Sequence, residues 1–140
     1  MNLSEFIASA NDISDESENA QTITRFLNDG IAKVNAECKA NFPFMDYVVL
    51  DAEIPFPETW VRAMLLPFAA GRIKTKDSSQ FEYSDLYAEF IDGLANFKMN
   101  YRIPDAYRDL SGLIYDPLTG QYHEPTSDVY IQKPFGWMGW

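Results

Sequence analysis

The stretch Tyr83-Ser84-Asp85-Leu86-Tyr87-Ala88-Glu89-Phe90-Ile91-Asp92-Gly93-Leu94-Ala95-Asn96-Phe97-Lys98-Met99-Asn100-Tyr101 decides the fold class. Its large side chains Tyr83, Tyr87, Phe90, Leu94, Phe97 and Tyr101 recur at spacings of 4, 3, 4, 3 and 4. That rhythm brings side chains to one face of a helix. The seam predicts a helix over roughly 78–101, stopped by Pro104. Such a helix is too short for a free-standing coiled coil and must pack on other helices.

The residues on its N-terminal side supply those helices. Ile23, Phe26, Leu27, Ile31, Val34 and Cys38 are spaced three, four and seven apart, which gives one apolar stripe and a helix over roughly 18–41. Gly30 sits inside it, at a cost of about 1 kcal/mol relative to Ala, and often marks a close approach by another element. A further helix is predicted over 58–74. Pro57 opens it, Glu58 suits the positive end of its dipole, and Trp60, Val61, Met64, Leu65, Phe68, Ala69 and Ile73 form a wide apolar surface. Pro67 is expected to kink it. A short helix over 3–10, capped by Ser4, turns Phe6, Ile7 and Ala10 inward. Residues 11–17 read as a polar loop. Residues 41–57, with Pro43, Pro55 and Pro57, read as a loop around one short extended piece, Tyr47-Val48-Val49-Leu50.

Beyond Pro104 the helical period disappears. Ile114–Tyr122 reads as a β-hairpin, with Asp116-Pro117 opening the turn, Gly120 supplying positive φ, and Tyr115 and Tyr122 on the flanking strands. The expected architecture is therefore mainly α. A bundle of about four helices occupies 1–103, and a C-terminal hairpin and extended arm occupy 104–140.

Composition narrows the function. The chain has 140 residues, 46% hydrophobic and 15% aromatic, which is enough for a core of its own. Its net charge is -10, spread unevenly: -8 over residues 1–60, +4 over 61–76, -4 over 77–110 and -2 over 111–140. So acidic a chain lacks the basic face that phosphate neutralisation or an anionic membrane requires. One Cys and one His exclude a disulfide framework and the zinc sites built from several such ligands. No apolar run reaches membrane-spanning length, and the first residues lack the basic and apolar regions of a signal peptide. The expectation is a protein of the reducing cytosol, or one carried in a particle assembled there.

Catalytic chemistry finds little support. His123 lies beside Glu124 and Pro125 in a predicted loop with no converging nucleophile. Cys38 falls on an apolar stripe and reads as a buried core thiol rather than an activated one. The glycines form no phosphate-binding motif, and Asp12, Asp15, Glu16 and Glu18 lack the order of a calcium loop. Arg62, Arg72, Lys74 and Lys76 form a cation cluster that either grips phosphate or, in so acidic a chain, pairs internally or with an acidic neighbour. The reading is of a protein that is not an enzyme and needs no cofactor and no metal.

The tail carries the functional signal. Residues 128–140 hold Val129, Tyr130, Ile131, Phe135, Trp137, Met138 and Trp140 among Pro134, Gly136 and Gly139. That mixture is too rich in glycine and proline for a stable helix and too apolar to stay in water. Either it folds back on its own bundle or it docks on another subunit through aromatic anchors. The closing Trp140 suits insertion into a pocket. The candidate partner-binding residues are Tyr115, Tyr122, Tyr130, Ile131, Phe135, Trp137, Met138 and Trp140.

A small acidic helical domain with a long non-helical C-terminal arm resembles the tailed-phage head–tail connector (adaptor) proteins. The resemblance covers roughly residues 3–101. It is carried by Thr22-Ile23-Thr24-Arg25-Phe26-Leu27-Asn28-Asp29-Gly30-Ile31, by the stretch from Ile54 to Gly71 (Ile54-Pro55-Phe56-Pro57-Glu58-Thr59-Trp60-Val61-Arg62-Ala63-Met64-Leu65-Leu66-Pro67-Phe68-Ala69-Ala70-Gly71), and by the acid-aromatic helix Tyr83–Phe97 that follows. It implies a structural virion protein assembled in the host cytoplasm. Such proteins form a homo-oligomeric ring, usually of twelve copies, between the portal protein and the tail or stopper protein. They extend the DNA channel, and DNA passes through without specific binding. An acidic channel wall repels phosphate and lets DNA slide. The alternative from another class is an acidic DNA mimic or regulatory binding protein acting on a host or phage protein.

Overall fold

The structure is a computed structural model that describes residues 1–75, 78–108, 114–116, 118 and 121–123. The chain divides into two compact units, Met1–Arg108 and Asp109–Trp140.

The first unit is helical, and its helices start where polar side chains can take up orphan backbone donors. Helix α1 (Leu3–Ser14) is capped by Asn2, not by Ser4. The Asn2 side chain accepts from the Glu5 N–H and the Glu5 carboxylate accepts from the Asn2 N–H, a reciprocal capping box. Its Leu3, Phe6 and Ala10 are buried, and it runs four residues further than expected, to Ser14. Helix α2 (Ala20–Cys38) is capped by Asn19 and buries Ile23, Phe26, Leu27, Ile31 and Val34, the stripe read from the sequence.

Helix α3 covers residues 58–75 in three continuous pieces: a first turn Glu58–Trp60, a widened π turn Val61–Leu65, and the α-helix Leu66–Thr75. The widened turn lies just ahead of Pro67. Proline has no N–H to return to the carbonyl of Ala63 four residues back. The Leu66 N–H reaches instead to the carbonyl of Val61, five residues back. Every residue from Leu66 to Gly71 is buried, and the helix touches α1, α2 and the long helix that follows. Each large apolar side chain fully buried in this way contributes about 1.5–3 kcal/mol.

The helix expected over 78–101 is two elements: a short α4 (Ser78–Phe81) and α5 (Asp85–Asn100). The break has a local cause. The Ser84 hydroxyl accepts from the Tyr87 N–H, which makes Ser84 the cap of α5 and leaves Tyr83 outside it. Tyr83 is 92% exposed and is no part of the seam. The rest of the seam packs inward, with Phe90, Leu94 and Phe97 buried and Tyr87 and Tyr101 resting on the core. Phe97 is the centre of a ring cluster, with Trp60 at 5.4 Å, Phe56 at 5.7 Å and Tyr101 at 4.8 Å between centroids.

In the second unit, two short strands, β1 (Ile114–Asp116) and β2 (Gln121–His123), pair antiparallel with Tyr115 opposite Tyr122. Pro117 and Gly120, assigned to a turn from the sequence, lie outside the described residues, as does the whole tail 124–140. No helix among the described residues is long and apolar enough to cross a membrane.

Two of the helix glycines, Gly93 and Gly30, separate cleanly in a stability test. A methyl group at Gly93 would lie 2.5 Å from the Ala63 carbonyl oxygen, whereas one at Gly30 would meet the Phe68 ring edge at 3.1 Å. Backbone cannot yield as a side chain can. Gly93→Ala is expected to cost about 1–3 kcal/mol by overpacking, despite alanine's helix advantage of about 1 kcal/mol. Gly30→Ala is expected to cost less. Urea midpoints of the two variants, compared with the parent chain, check this.

Candidate functional site

The connection from α2 to α3 is where the structure departs furthest from the sequence reading. Its two ends are buried: Phe42 at the start, Ile54 and Phe56 at the end. The rings of Phe42 and Phe56 stack at 4.1 Å, closing the base of the loop. A long connection with its ends pinned together is an Ω-type loop, a form often used for binding.

Two asparagines of α2 fasten the outgoing strand of this loop. The Asn35 amide donates to the Phe42 carbonyl at 3.1 Å, and its oxygen accepts from the Phe42 N–H at 2.9 Å. One loop step later, Asn28 does the same to Met45, at 2.9 Å to the carbonyl and 2.8 Å from the N–H. A side-chain amide thus pairs with a backbone peptide as a neighbouring strand would. The spacing explains why two clips fit. Seven helical residues rise about 10.5 Å, and three extended residues cover about 10 Å. Pro43 favours the extended form of its neighbour Phe42.

The returning side is fastened to α1. The first N–H groups of that helix, on Leu3 and Ser4, donate to the carbonyls of Ala52 and Leu50 at 3.0 and 2.9 Å. These are the donors a helix start leaves without partners. Between the fastenings, the Asp46 carboxylate accepts from the Val48 N–H and the Asp46 carbonyl from the Val49 N–H. The run Tyr47-Val48-Val49-Leu50 is therefore turned, and the extended piece expected there does not form. An aspartate bonding two residues ahead makes a turn that overrides β-branched preference.

The outcome is a tied loop that holds its apolar side chains in solvent. Val48 is 67% exposed and Phe44 59%, with Tyr47, Val49 and Leu50 each more than two-fifths exposed. Between the loop and α2 lies an open groove of about 390 Å³, lined by Thr24, Arg25, Asn28, Asp29, Met45 and Tyr47 among others. Exposed apolar side chains grouped in this way make the loop a candidate interaction surface. No protein family, curated protein or solved structure was found to match the chain.

The other candidate groups are placed as follows. Arg62 pairs with Glu58 at 2.9 Å one helical turn away, and that hydrogen bond with its charge holds the Glu58 carboxyl below its ordinary pKa. The small stabilisation from this exposed pair is present at neutral pH and lost as pH falls through the lowered pKa. Arg72 turns inward: its guanidinium lies 4.7 Å over the Phe26 ring and 3.4 Å from Asp29. Two of the four clustered cations thus have partners in their own unit, and Lys76 lies outside the described residues. Cys38 is half-buried rather than fully buried, and loss of solvent pushes its thiol pKa up, against a smaller opposing effect of Lys98. Among the described residues no cluster of three or more His, Cys, Asp and Glu is placed to hold a metal ion.

Of the binding residues expected from sequence, Tyr115 and Tyr122 are partners in the register of the strand pair. Tyr130, Ile131, Phe135, Trp137, Met138 and Trp140 lie outside the described residues. The loop Phe44–Leu50 was not among them. Its signal in the sequence is six apolar residues in seven, with Asn28 and Asn35 ahead of it and three prolines around it.

Two outcomes are expected. Asn35→Ala leaves the Phe42 peptide group without its clip and should cost about 1–3 kcal/mol, read as a lower urea midpoint. Cys38 should react with a disulfide reagent at pH 7 more slowly than free cysteine, because its raised pKa leaves less thiolate.

Proposed function

We propose that this chain is a non-enzymatic structural subunit that works by self-assembly, and specifically a head–tail connector of a tailed phage. In this reading its copies form a ring between portal and tail, the helical unit makes the wall, and the C-terminal hairpin and extended arm over 104–140 dock on a neighbour. The loop Phe44–Leu50 carries the reading. Five large apolar side chains are held outward by hydrogen bonds at both ends of the loop. Fixing such groups in water gains nothing for an isolated chain, whereas a neighbouring subunit that covers them gains their burial.

The charge supports the same reading. With a net charge of -10, a ring of copies presents carboxylates to any duplex it surrounds, and repulsion keeps the duplex from sticking. The segments over 22–31 and 54–71 that resemble the connector family fall on α2 and on the end of the loop connection together with α3. The protein's place would then be the virion, with portal and tail or stopper proteins as its other partners.

Native mass spectrometry of the full chain tests the assembly, and proteomics of purified particles tests the location. The expected result is a set of masses at multiples of 16.0 kDa, and the chain present in particles that also contain portal protein. A chain that stays monomeric at high micromolar concentration and is missing from particles contradicts the proposal.

A further inference from the structure

We infer that the groove between α2 and the Phe44–Leu50 loop receives the tryptophan-bearing C-terminal segment, residues 130–140, of a second copy of this chain. This rests on the self-assembly reading and names the contact that would carry it.

The chemistry of the groove fits an indole. Tryptophan needs apolar contact for its rings and an acceptor for its single N–H. Met45 and Tyr47 give the groove an apolar wall, and the carboxylates of Asp29 and Asp46 line it as acceptors. Arg25, on the same rim, supplies a cation of the kind that favours the face of a tryptophan ring. At about 390 Å³ the groove is the size of a small binding cleft. The exposed Val48, Val49 and Leu50 follow Tyr47 in the same loop and add further apolar surface.

The segment fits in charge and in length. Residues 130–140 carry one charge, Lys133, while residues 44–53 carry Asp46, Asp51 and Glu53 and no base. From His123 to Trp140 there are 17 residues, which span at most about 56–61 Å. A small domain is about 30 Å across, so the segment is long enough to reach a second copy. Trp137 and Trp140 then supply rings for the groove, and Tyr130, Ile131 and Phe135 supply contacts for the loop. The surface of a copy that gives its tail differs from the surface that receives one, so the contact is head-to-tail and closes into a ring or runs on as a filament.

A second open groove of the unit provides a control. It lies between α2 and α5, has a volume of about 290 Å³, and is edged by Ile91. It lacks a loop of outward apolar residues.

Complementation between two full-length variants tests the inference. Val48→Asp puts a charge on the receiving loop. The double change Trp137→Ala with Trp140→Ala removes the anchors. Sedimentation velocity reads the result, with far-UV circular dichroism confirming the helices and Val48→Ser as a milder second loop variant. The parent chain is expected to assemble, each defective variant to sediment as a 16.0 kDa monomer, and Val48→Ser to weaken assembly in part. Ile91→Asp should assemble like the parent. Mixed in equal amounts, the two defective variants should give a heterodimer of twice the monomer mass, because one intact loop meets one intact tail. If the parent assembles but Val48→Asp assembles equally well, or the mixture stays monomeric, or Ile91→Asp alone abolishes assembly, the inference fails and the self-assembly reading stands. A parent chain that never assembles removes both.

Discussion

The helical unit depends on one kind of interaction used three times: an asparagine side chain that pairs with both the N–H and the C=O of a single distant residue. Asn11 holds Glu18 in this way, at 3.1 and 2.9 Å, and so fixes the turn between α1 and α2. Asn28 and Asn35 hold Met45 and Phe42. Each clip satisfies a loop peptide that no helix or sheet provides for, and part-buried peptide groups must find partners. The connection after α2 is thereby made as definite as a strand. Without the two clips on α2, Phe42 has no fixed position against Phe56, and the loop has no fixed orientation from which to present Tyr47 to Leu50.

A second constraint sets the frame around those clips. Buried on all sides from Leu66 to Gly71, α3 forces α1, α2 and α5 to surround it. Close approach is possible because Gly30 and Gly93 carry no side chain where Phe68 and the Ala63 backbone come near. With the centre filled by one helix, the connection from α2 to α3 has to run over the outside. Its buried ends and exposed middle follow from that path.

Much of this was legible in the sequence, where side-chain period alone decides. The stripe of α2 and the seam residues Phe90, Leu94, Phe97 and Tyr101 are inward because spacing places them on one face. What failed was decided by single polar atoms. Ser4 resembled a cap, but Asn2 has Glu5 three residues on and closes the reciprocal box. Tyr83 kept the heptad rhythm, yet the Ser84 hydroxyl begins α5 after it. The run Tyr47–Leu50 has strand-forming residues, and the side chain of Asp46 turns it. Such choices lie between one hydrogen bond and another, and composition does not rank them. The apolar character of the tail and of Tyr47–Leu50 was plain from the sequence, but the direction in which the loop's side chains face was not, because it depends on the hydrogen bonds at the loop's ends.

The central claim is that asparagine clips hold this apolar loop in one orientation. Amide hydrogen exchange, followed residue by residue by NMR on the intact chain, measures it most directly. The amides of Phe42 and Met45 should exchange far more slowly than the same residues in an unstructured peptide, and Asn28→Ala should release Met45 while leaving Phe42 slow. Exchange of both amides at free-peptide rates in the parent chain would contradict the account.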